Sequence, residues 1–345
     1  MYTKATGLYG ELKKLLLKGG LQIIPPEREL CKQYDLGRYA VRSALQQLEN
    51  DGFIFNDRAH RRRVSLKSKN TLKKVMILQT RTSYYNSPEA LALISVINDE
   101  VRRHGGEPVL FFSREEDPTP MLLANYRSAE YSGIISVEYT ADFDLQKIID
   151  KKIPLVIANL EQQPATIPAP ASCIDFRDIG RFGTRELLRA GCRKIAIISK
   201  SSWLNDEITA GMRGALAEEG IPFSGNMFFH YDLNAQGNKI ALRKQLMQTL
   251  GSDNRPDGFL VFRTARLFML LQCCAELGLK IPDDIKICVY DCPGMYEFEP
   301  NIYLIDEPIA NLGIQAVQML CEWISSRKMP ETVHCPMDPP HLVHE

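Results

Sequence analysis

The chain has 345 residues, of which 45% are hydrophobic and 24% are charged. This composition is typical of an ordinary soluble globular protein and excludes a collagen-like or low-complexity chain. Its 42 basic and 42 acidic residues cancel, yet residues 1–70 carry 14 Lys and Arg against 7 Asp and Glu. A basic end on a mildly acidic body fits a polyanion-binding module attached to a larger domain, although charge alone favours a chance cluster of solvated side chains.

The chain shows no targeting or membrane segment. No apolar run is long enough to cross a bilayer, and the apolar residues 15–17 are flanked by lysines, unlike the core of a signal peptide. The nine cysteines are dispersed and form no CxxC pair. Such a set is typical of reduced thiols rather than of a disulfide framework, so the sequence predicts a cytoplasmic protein with no membrane partner.

The N-terminal part predicts three helices followed by a two-stranded hairpin. Apolar residues recur at helical spacing in three segments: 6–18, 27–34 and 38–51. Residues 53–55 and 64–66 alternate like strands on either side of a polar turn. Three helices and a hairpin predict a winged helix-turn-helix domain over residues 1–66, followed by a polar linker over residues 67–73.

From Lys74 onward, short apolar strands alternate with helices of about ten to fifteen residues. Strands are expected at 75–78, 108–112, 133–135, 155–158, 194–198, 227–231, 258–262 and 285–290. Helices are expected at 88–104, 180–190, 207–219 and 266–277. This alternation predicts an α/β domain with doubly wound parallel sheets. Roughly 270 residues exceed a single core, so residues 74–345 are expected to form two lobes with a cleft.

The segment from Ile24 to Ile54 contains a series of short motifs: Pro-x-Glu-Arg-Glu-Leu over 25–30, Gly-Arg at 37–38, Val-Arg at 41–42, Ala-Leu at 44–45 and Gly-Phe-Ile at 52–54. In this order they resemble the GntR family of bacterial transcription regulators, over roughly residues 5–66. The resemblance implies a winged domain whose third helix enters the major groove of double-stranded operator DNA.

The resemblance also implies which residues contact DNA. Arg28 begins the scaffold helix, where its guanidinium and nearby backbone N–H groups could hold a phosphate. Arg38 and Arg42 lie four residues apart on one face of the third helix and would contact phosphate or guanine. Tyr39 and Ala40 lie between them and would face bases. The alternative interpretation is that these arginines only solvate a helix.

Two features depart from the family pattern. Pro26 and Gly37 stand where the family commonly has serine caps, so side-chain capping is expected to be lost. The wing tip over residues 57–63 lacks glycine and carries four arginines. Arg61 and Arg62 are therefore expected to hold phosphates or a narrow A·T-rich groove.

A second series of motifs lies in the α/β region: Ile-Asp-Phe at 174–176 with Gly180, Gly-Cys-Arg-Lys-Ile-Ala at 191–196, and Gly-Leu-Lys-Ile-Pro-Asp-Asp-Ile at 278–285 leading to Val-Tyr-Asp at 289–291. They resemble the effector domain of LacI-type repressors, whose fold is periplasmic-binding-protein-like. A chain that joins a GntR-type DNA-binding domain to a LacI-type effector domain is similar to arabinose-repressor-like regulators. In such proteins a small-molecule effector lies between the lobes.

Matching positions suggest the ligand contacts. Asp291 corresponds to an acidic residue that accepts sugar hydroxyls, and Asn159 follows another strand. Trp203 could stack on the apolar face of a sugar, and so could Tyr84 or its neighbour Tyr85. For each of these residues, loop surface or core packing is the competing interpretation.

Two positions depart from the sugar-binding pattern. Arg263 stands where the family typically has Asn, and Ile208 where it has the arginine that clamps the sugar. Arg213 follows too late in the chain to replace that arginine. The effector is therefore left open between a different saccharide, an anion paired with Arg263, or no ligand.

Other functional classes fit less well. The sequence contains no P-loop, no GxSxG and no GxGxxG after a strand, so no enzyme activity, catalytic residue or cofactor is predicted. Cys288 with Cys292, and the His and Cys residues of the C-terminal tail, are interpreted as core thiols and a polar terminus rather than as a metal site. A periplasmic binding protein would need a signal peptide and no basic module.

These features together predict a cytoplasmic, ligand-responsive transcription regulator that binds a near-palindromic operator as a homodimer. The lobes would supply most of the dimer surface. A ligand that closes the cleft would alter the spacing of the two winged domains, provided that it binds one lobe arrangement better than the other. The family resemblance implies repression of sugar-utilisation genes.

Overall fold

The computed structural model describes residues 7–12, 15, 24–50, 54–56, 62–64, 72–80, 88–113, 117–137, 144–161, 163–199, 203–223, 227–230, 238–291 and 301–342. Among these residues, no helix is long and apolar enough to cross a membrane.

The N-terminal residues form the expected winged helix-turn-helix arrangement. Its elements are helical residues 7–12 (α1), α2 (Glu27–Gln33), α3 (Arg38–Asn50), β1 (Ile54–Asn56) and β2 (Arg62–Val64). The two strands pair antiparallel, with Ile54 opposite Val64 and Asn56 opposite Arg62. A separate apolar core holds the domain together: Leu8, Leu12, Ile24, Leu30, Val41, Ala44, Leu45, Leu48 and Ile54 are all buried. As expected, Pro26 caps α2 without any side-chain hydrogen bond.

The α/β region forms two lobes, each built on a six-stranded sheet. Lobe 1 has strands in the order β13-β7-β6-β5-β3-β4, and every neighbouring pair is parallel. These strands are β3 (Lys74–Thr80), β4 (Glu107–Ser113), β5 (Tyr131–Val137), β6 (Leu155–Ala158), β7 (Ala171–Cys173) and β13 (Val333–His334). Its helices are α4 (Pro88–Arg103), α5 (Thr119–Asn125), α6 (Leu145–Asp150) and α11 (Ile309–Ser326), and a 3-10 turn spans Pro164–Thr166.

Lobe 2 has strands in the order β14-β12-β11-β10-β8-β9, and only its edge strand β14 runs antiparallel. These strands are β8 (Ile195–Ser199), β9 (Phe228–His230), β10 (Gly258–Phe262), β11 (Lys286–Asp291), β12 (Tyr303–Asp306) and β14 (His341–Leu342). Its helices are α7 (Phe176–Arg189), α8 (Trp203–Glu218), α9 (Asn238–Leu250) and α10 (Thr264–Glu276). The central strands are buried along their whole length, as expected for parallel strands covered on both faces.

The chain crosses between the lobes three times. It passes from lobe 1 to lobe 2 between β7 and α7, returns between β12 and α11, and crosses again between β13 and β14. One apolar cluster contains residues from both lobes, including Ile174 and Phe176 at the first crossing. The two-lobed, doubly wound α/β fold predicted from the sequence is therefore confirmed.

Two helices begin four residues earlier than predicted. Helix α7 begins at Phe176 rather than at Gly180, because the Asp175 carboxylate accepts a hydrogen bond from the Arg177 backbone N–H and caps the helix. Helix α8 begins at Trp203 rather than at Glu207, since the buried Leu204 already belongs to its inner face. The prediction missed these first turns because it followed the main apolar periodicity alone.

Helices α7 and α8 cross with their backbones in direct contact. A Cβ atom at Gly180 would lie 1.9 Å from the carbonyl oxygen of Ile208, and one at Gly211 would lie 2.0 Å from that of Arg177. Ion pairs between Arg177 and Glu207 flank this crossing on its exposed side. Only glycine fits at both contact points, so the sequence places α8 against α7 at a fixed position.

Candidate nucleic-acid interface and interlobe site

Helix α3 is divided between an apolar face and an exposed polar face. Its inner face packs into the winged-domain core through residues including Val41 and Leu45. The opposite side exposes Arg38, Tyr39 and Arg42, and the Tyr39 side chain is 83% exposed. A large aromatic side chain left in solvent at a helix N-terminus, between two arginines, suits contact with DNA.

An ion pair that the sequence reasoning missed links the two helices of this motif. The Arg42 Nε atom lies 2.8 Å from the Glu27 Oε2 atom, in the first turn of α2. The hydrogen bond from Arg42 to Glu27 raises the pKa of Arg42, so the guanidinium stays charged. Glu27 thus orients Arg42 in the free protein, while 67% of the arginine side chain remains exposed. The fifteen-residue separation gave no periodic signal for this pair.

Of the other predicted DNA-contacting residues, only some lie among the described residues. Arg28 is exposed on α2, and Ala40 is half-buried on α3. Arg61 lies outside the described residues. Arg62 begins β2 opposite Asn56, and its side chain is outside the described part of the chain.

In the α/β region, the carboxyl ends of four parallel strands converge between the lobes. Asn159 follows β6 of lobe 1, whereas Arg263 and Asp291 lie at the ends of β10 and β11 of lobe 2. Glu307 follows β12 at the second chain crossing, and its backbone N–H donates to the Asp291 carbonyl oxygen. Ligands of open α/β sheets bind at such strand ends.

Arg263 is the centre of this interlobe site. Its Nη1 atom lies 2.7 Å from Glu307 Oε2, and its Nη2 atom lies 2.6 Å from Glu161 Oε1 on lobe 1. The same guanidinium lies 3.9 Å from carboxylate oxygens of Glu89 and Asp291. One side chain from lobe 2 therefore bridges both lobes and the crossing segment. We call these five residues the interlobe ion cluster.

Two aromatic rings also contact Arg263. The rings of Phe262 and Tyr290 stack at 5.3 Å with an angle of 13° between their planes. The guanidinium carbon lies 5.3 Å and 5.2 Å from their respective centroids, within cation–π range. The backbone of Arg263 has φ 76° and ψ 143°, a region that non-glycine residues rarely occupy. The aromatic and ionic contacts stabilise an arginine in a strained conformation.

Negative charge outweighs positive charge in the interlobe ion cluster. Burial lowers the pKa of Arg263, but Glu307 and Glu161 raise it well above its ordinary value, so the guanidinium is charged. Burial, followed by a hydrogen bond to Asp291, raises the pKa of Glu89. Four carboxylates thus surround a single guanidinium, and Asp291 and Glu307 are almost wholly buried.

The Asn159 amide completes the cluster. Its Nδ2 atom donates to Glu307 Oε1 at 3.0 Å. Its Oδ1 atom is buried and has no hydrogen-bond partner among the described residues. A buried amide oxygen without a donor is costly, so this position can accept a hydrogen bond from a ligand.

The structure brings together Asn159, Arg263 and Asp291 from the predicted ligand contacts. Tyr84 and Tyr85 lie outside the described residues, and Trp203 is the first residue of α8 with its side chain likewise not described. Three carboxyl groups of the site were not predicted from the sequence: those of Glu89, Glu161 and Glu307.

Ile208 and Arg263 are the two positions that depart from the family pattern, and the structure shows what each side chain contacts. Ile208 is fully buried at the α7–α8 crossing, so its position contributes packing and no charge. Arg213 is exposed and lies over the Phe223 ring, with its guanidinium carbon 4.5 Å from the ring centroid. Because Glu161 and Glu307 already pair with Arg263, the interpretation of Arg263 as the partner of an anionic ligand is disfavoured.

The cysteine and histidine residues considered as a metal site lie apart. Cys288 is buried in lobe 2, whereas Cys173 lies in lobe 1 with its Sγ atom 3.5 Å from His334 Nδ1. Within the described ranges, no group of three or more His, Cys, Asp or Glu side chains has an arrangement suited to a metal ion. Cys292 and His344 are outside those ranges.

Comparison with known families supports both halves of this description. Residues 4–63 match the family of bacterial regulatory proteins, gntR family. Residues 184–344 match the periplasmic binding protein-like domain. Both resemblances drawn from the sequence motifs are therefore confirmed.

Relatives cover nearly the whole chain. An arabinose metabolism transcriptional repressor from Geobacillus stearothermophilus is 25% identical over 322 residues, covering 89% of this chain and 86% of that protein. A protein of the same name from Halalkalibacterium halodurans is 22% identical, covering 95% of this chain and 91% of that protein. Both matches therefore extend over most of this chain and most of each relative.

Among solved structures, a regulatory protein of the LacI family from Chloroflexus aggregans has the same fold. It is 17% identical, with a TM-score of 0.64, covering 78% of this chain and 96% of that chain. The fold, the exposed arginine helix and the matched families lead to one conclusion. The chain is a DNA-binding transcription regulator in which a domain that matches the gntR family of bacterial regulatory proteins is joined to a periplasmic-binding-protein-like effector domain.

Proposed function

We propose that the protein is a cytoplasmic, homodimeric repressor without enzyme activity, whose affinity for operator DNA is set by a small molecule bound between its lobes. The observation that carries this proposal is that one chain combines two features. Helix α3 exposes Arg38, Tyr39 and Arg42, and charged side chains lie at the ends of strands in the cleft between the lobes. The relatives named arabinose metabolism transcriptional repressors support repression of sugar-utilisation genes.

The proposed domain bounds are residues 1–66 for the winged domain, 67–73 for the linker and 74–345 for the effector domain. The end of the linker already contacts lobe 1. Leu72 is buried in the lobe core, and the Lys73 backbone N–H donates to the Ser132 hydroxyl at 2.8 Å. These contacts support direct transmission of lobe movements to the linker and hence to the winged domain.

For DNA recognition, we infer that Arg38 and Arg42 read guanine or phosphate in the major groove and that Tyr39 and Ala40 face base edges. Arg28 would hold a backbone phosphate, and the wing residues Arg61 and Arg62 would contact phosphates or a narrow minor groove. The exposure of Arg28, Arg38, Tyr39 and Arg42 supports these roles.

For the switch, the effector would bind where Asn159, Arg263 and Asp291 meet. Glu307 belongs to both the interlobe ion cluster and the second crossing, so a ligand that changes its contacts also acts on the connection between the lobes. A ligand alters operator affinity only if it binds one lobe arrangement better than the other.

Exposed apolar side chains support a dimer through the lobes. Strand β4 lies at an edge of the lobe 1 sheet, with Leu110 40% exposed. Leu91 on the preceding helix α4 is 51% exposed, and Phe268 on α10 of lobe 2 is 60% exposed. Large apolar side chains near an unpaired strand edge are typical of surfaces that another chain covers.

Arg38→Ala and Arg42→Ala should each weaken binding to the selected operator by about 10- to 100-fold, because each removes a bidentate base or phosphate contact. The operator is first obtained by selecting bound sequences from a random DNA pool, and affinities are then measured by fluorescence anisotropy at fixed salt. Arg189→Ala, which removes an exposed arginine from α7, is the charge-matched control and should bind normally. Unchanged affinity of both α3 variants, or no enriched sequence, would contradict the proposal.

The double substitution Leu91→Asp and Leu110→Asp should convert the dimer to a monomer, because two charges would be buried against their symmetry-related copies. Sedimentation velocity measures the change, and operator affinity should fall with it since one winged domain reads only a half-site. Met329→Asp, at a residue that is 52% exposed beyond α11, is the control that should remain dimeric. A double variant that stays dimeric would show that the dimer surface does not include Leu91 and Leu110.

A further inference from the structure

We propose that Arg263 and Glu161 form an interlobe latch: their ion pair holds the two lobes together without an effector and thereby sets the affinity for operator DNA. This inference rests on the proposed function, since it assigns a regulatory contact to the same interlobe site. It differs from the expectation that a bound ligand closes the cleft, because here the chain's own side chains make the closing contacts.

Arg263 lies between β10 and α10 of lobe 2 but contacts lobe 1 directly. Its Nη2 atom donates to Glu161 Oε1 at 2.6 Å, and its Nη1 atom lies 3.9 Å from Glu89 Oε1. Beside them, Asn159 of lobe 1 donates to Glu307 at the second chain crossing, with 3.0 Å between Nδ2 and Oε1. The lobes are therefore joined by charged and polar contacts that need no added molecule.

The guanidinium of Arg263 is also held from the side of lobe 2. Its carbon lies 5.3 Å and 5.2 Å from the ring centroids of Phe262 and Tyr290, and its Nη1 atom donates to Glu307 Oε2 at 2.7 Å. Separation of the lobes would leave these contacts in place and break the pair with Glu161. The arginine would keep partners in both arrangements, which is what a contact that opens and closes reversibly requires.

Glu161 is the more accessible carboxylate partner of this arginine. Its side chain is 24% exposed, whereas that of Glu307 is 0% exposed. Water can hydrate the Glu161 carboxylate once it is released, so opening leaves no unpaired charge buried in lobe 1. The pair between Arg263 and Glu161 is therefore the contact at which the lobes can separate at the lowest cost.

The backbone of Arg263 supports a switching role. Its φ of 76° and ψ of 143° lie in a region that is costly for a residue with a side chain. Hydrogen bonds fix this conformation on both sides: the Arg263 N–H donates to the Tyr290 carbonyl oxygen, and the Arg266 N–H donates to the Arg263 carbonyl oxygen. Strain of this kind is concentrated at ligand clamps and switch regions, so it favours a functional position over simple packing.

Glu161→Gln tests the latch on the full chain with no small molecule added. Glutamine keeps the shape of the side chain but removes the charge-assisted hydrogen bond, so the lobes should separate more often. We expect faster hydrogen exchange in peptides that cover residues 155–161 and 301–309, and a larger radius of gyration by small-angle X-ray scattering. Affinity for the selected operator, measured by fluorescence anisotropy, should change by about 5- to 150-fold, the usual range of coupling between two sites.

Glu207→Gln is the matched control. The Glu207 side chain is 21% exposed and also pairs with an arginine, but its partner Arg177 lies in the same lobe. This variant should match the parent protein in exchange, scattering and operator affinity. Arg263→Met removes the other half of the latch, and adding Glu161→Gln to it should change operator affinity no further, because both substitutions remove one contact. Since Arg263→Met can also lower stability, Glu161→Gln is the primary test.

The inference is overturned if Glu161→Gln matches the parent protein in exchange and scattering, if the lobes separate without a change in operator affinity, or if Glu207→Gln has the same effects. Exchange and scattering do not depend on operator DNA, which separates the two possible failures. An operator bound equally well by the parent and by Glu161→Gln would refute the latch and leave the regulator intact. Failure to select any operator would instead refute the proposed function.

Discussion

Replacing Arg263 by methionine is expected to lower the free energy of unfolding at neutral pH by about 3–5 kcal/mol, the cost of breaking a buried ion pair by removing one partner. Methionine keeps much of the side-chain volume but leaves Glu307, whose side chain is 0% exposed, without the guanidinium that donates to it. The lobes would also lose the bridge from lobe 2 to Glu161. Urea unfolding followed by circular dichroism measures the change.

The pH dependence of this loss has a defined sign. Arg263 lowers the pKa of Glu89 in the parent protein, so removal of the guanidinium should raise the pKa of this carboxyl group further above its unfolded value. A carboxyl group with a raised folded pKa favours the folded state when protonated, and this contribution is lost as pH rises through that pKa. The deficit of the variant should therefore be smaller at pH 5 than at pH 7.

The control is Arg243→Met, which breaks the exposed pair between Arg243 and Glu276. Its unfolding midpoint should stay near that of the parent protein, because exposed ion pairs contribute little to stability. Equal losses in the two variants, or a deficit that grows toward acidic pH, would contradict the central position assigned to Arg263.

Gly180→Ala and Gly211→Ala should each destabilise lobe 2 by about 3 kcal/mol or more, at the upper end of the cost of overpacking. The added Cβ atoms would lie 1.9 Å and 2.0 Å from backbone carbonyl oxygens, and backbone atoms cannot rotate away as side chains can. Helices α7 and α8 would have to separate, which opens the apolar core beneath them.

Gly214→Ala provides the matched control on the same helix. A Cβ atom at Gly214 meets nothing within 4 Å, so alanine should stabilise α8 by up to about 1 kcal/mol through its higher helix propensity. Thermal and urea unfolding of the three variants test the pattern. A Gly180→Ala protein as stable as the parent would show that the helices are not in backbone contact, whereas a destabilised Gly214→Ala protein would show that the space around Gly214 is not open.

Much of the fold could be predicted from the sequence because its elements have strong local signals. The strand at residues 258–262 was predicted with the bounds that the structure gives it, since five consecutive apolar residues lie between polar turns. The start of α7 was not, because its cap depends on one aspartate side chain rather than on periodicity. Short edge strands such as β13 and β14 have only two residues each and carry no periodic pattern.

The sites were predicted less completely than the fold. Resemblance placed Asn159, Arg263 and Asp291 at strand ends, and the structure brings them together. Glu161 and Glu307 were missed because each comes from a different element, 102 and 44 residues from Arg263 along the chain. Glutamate is common on surfaces, so nothing local distinguishes a buried interlobe glutamate from a solvated one. Only the tertiary fold shows that these charges share one cation.

The three chain crossings also limit how this protein can be divided. Neither lobe is a continuous stretch of sequence, because β13 and α11 of lobe 1 follow the whole of β8 to β12 of lobe 2. A gene fragment that encodes one lobe would therefore lack a strand or a helix of its own core. Exchange of effector specificity between related regulators must transfer the two-lobed unit as a single block, whereas the winged domain, with its separate core, can be exchanged alone.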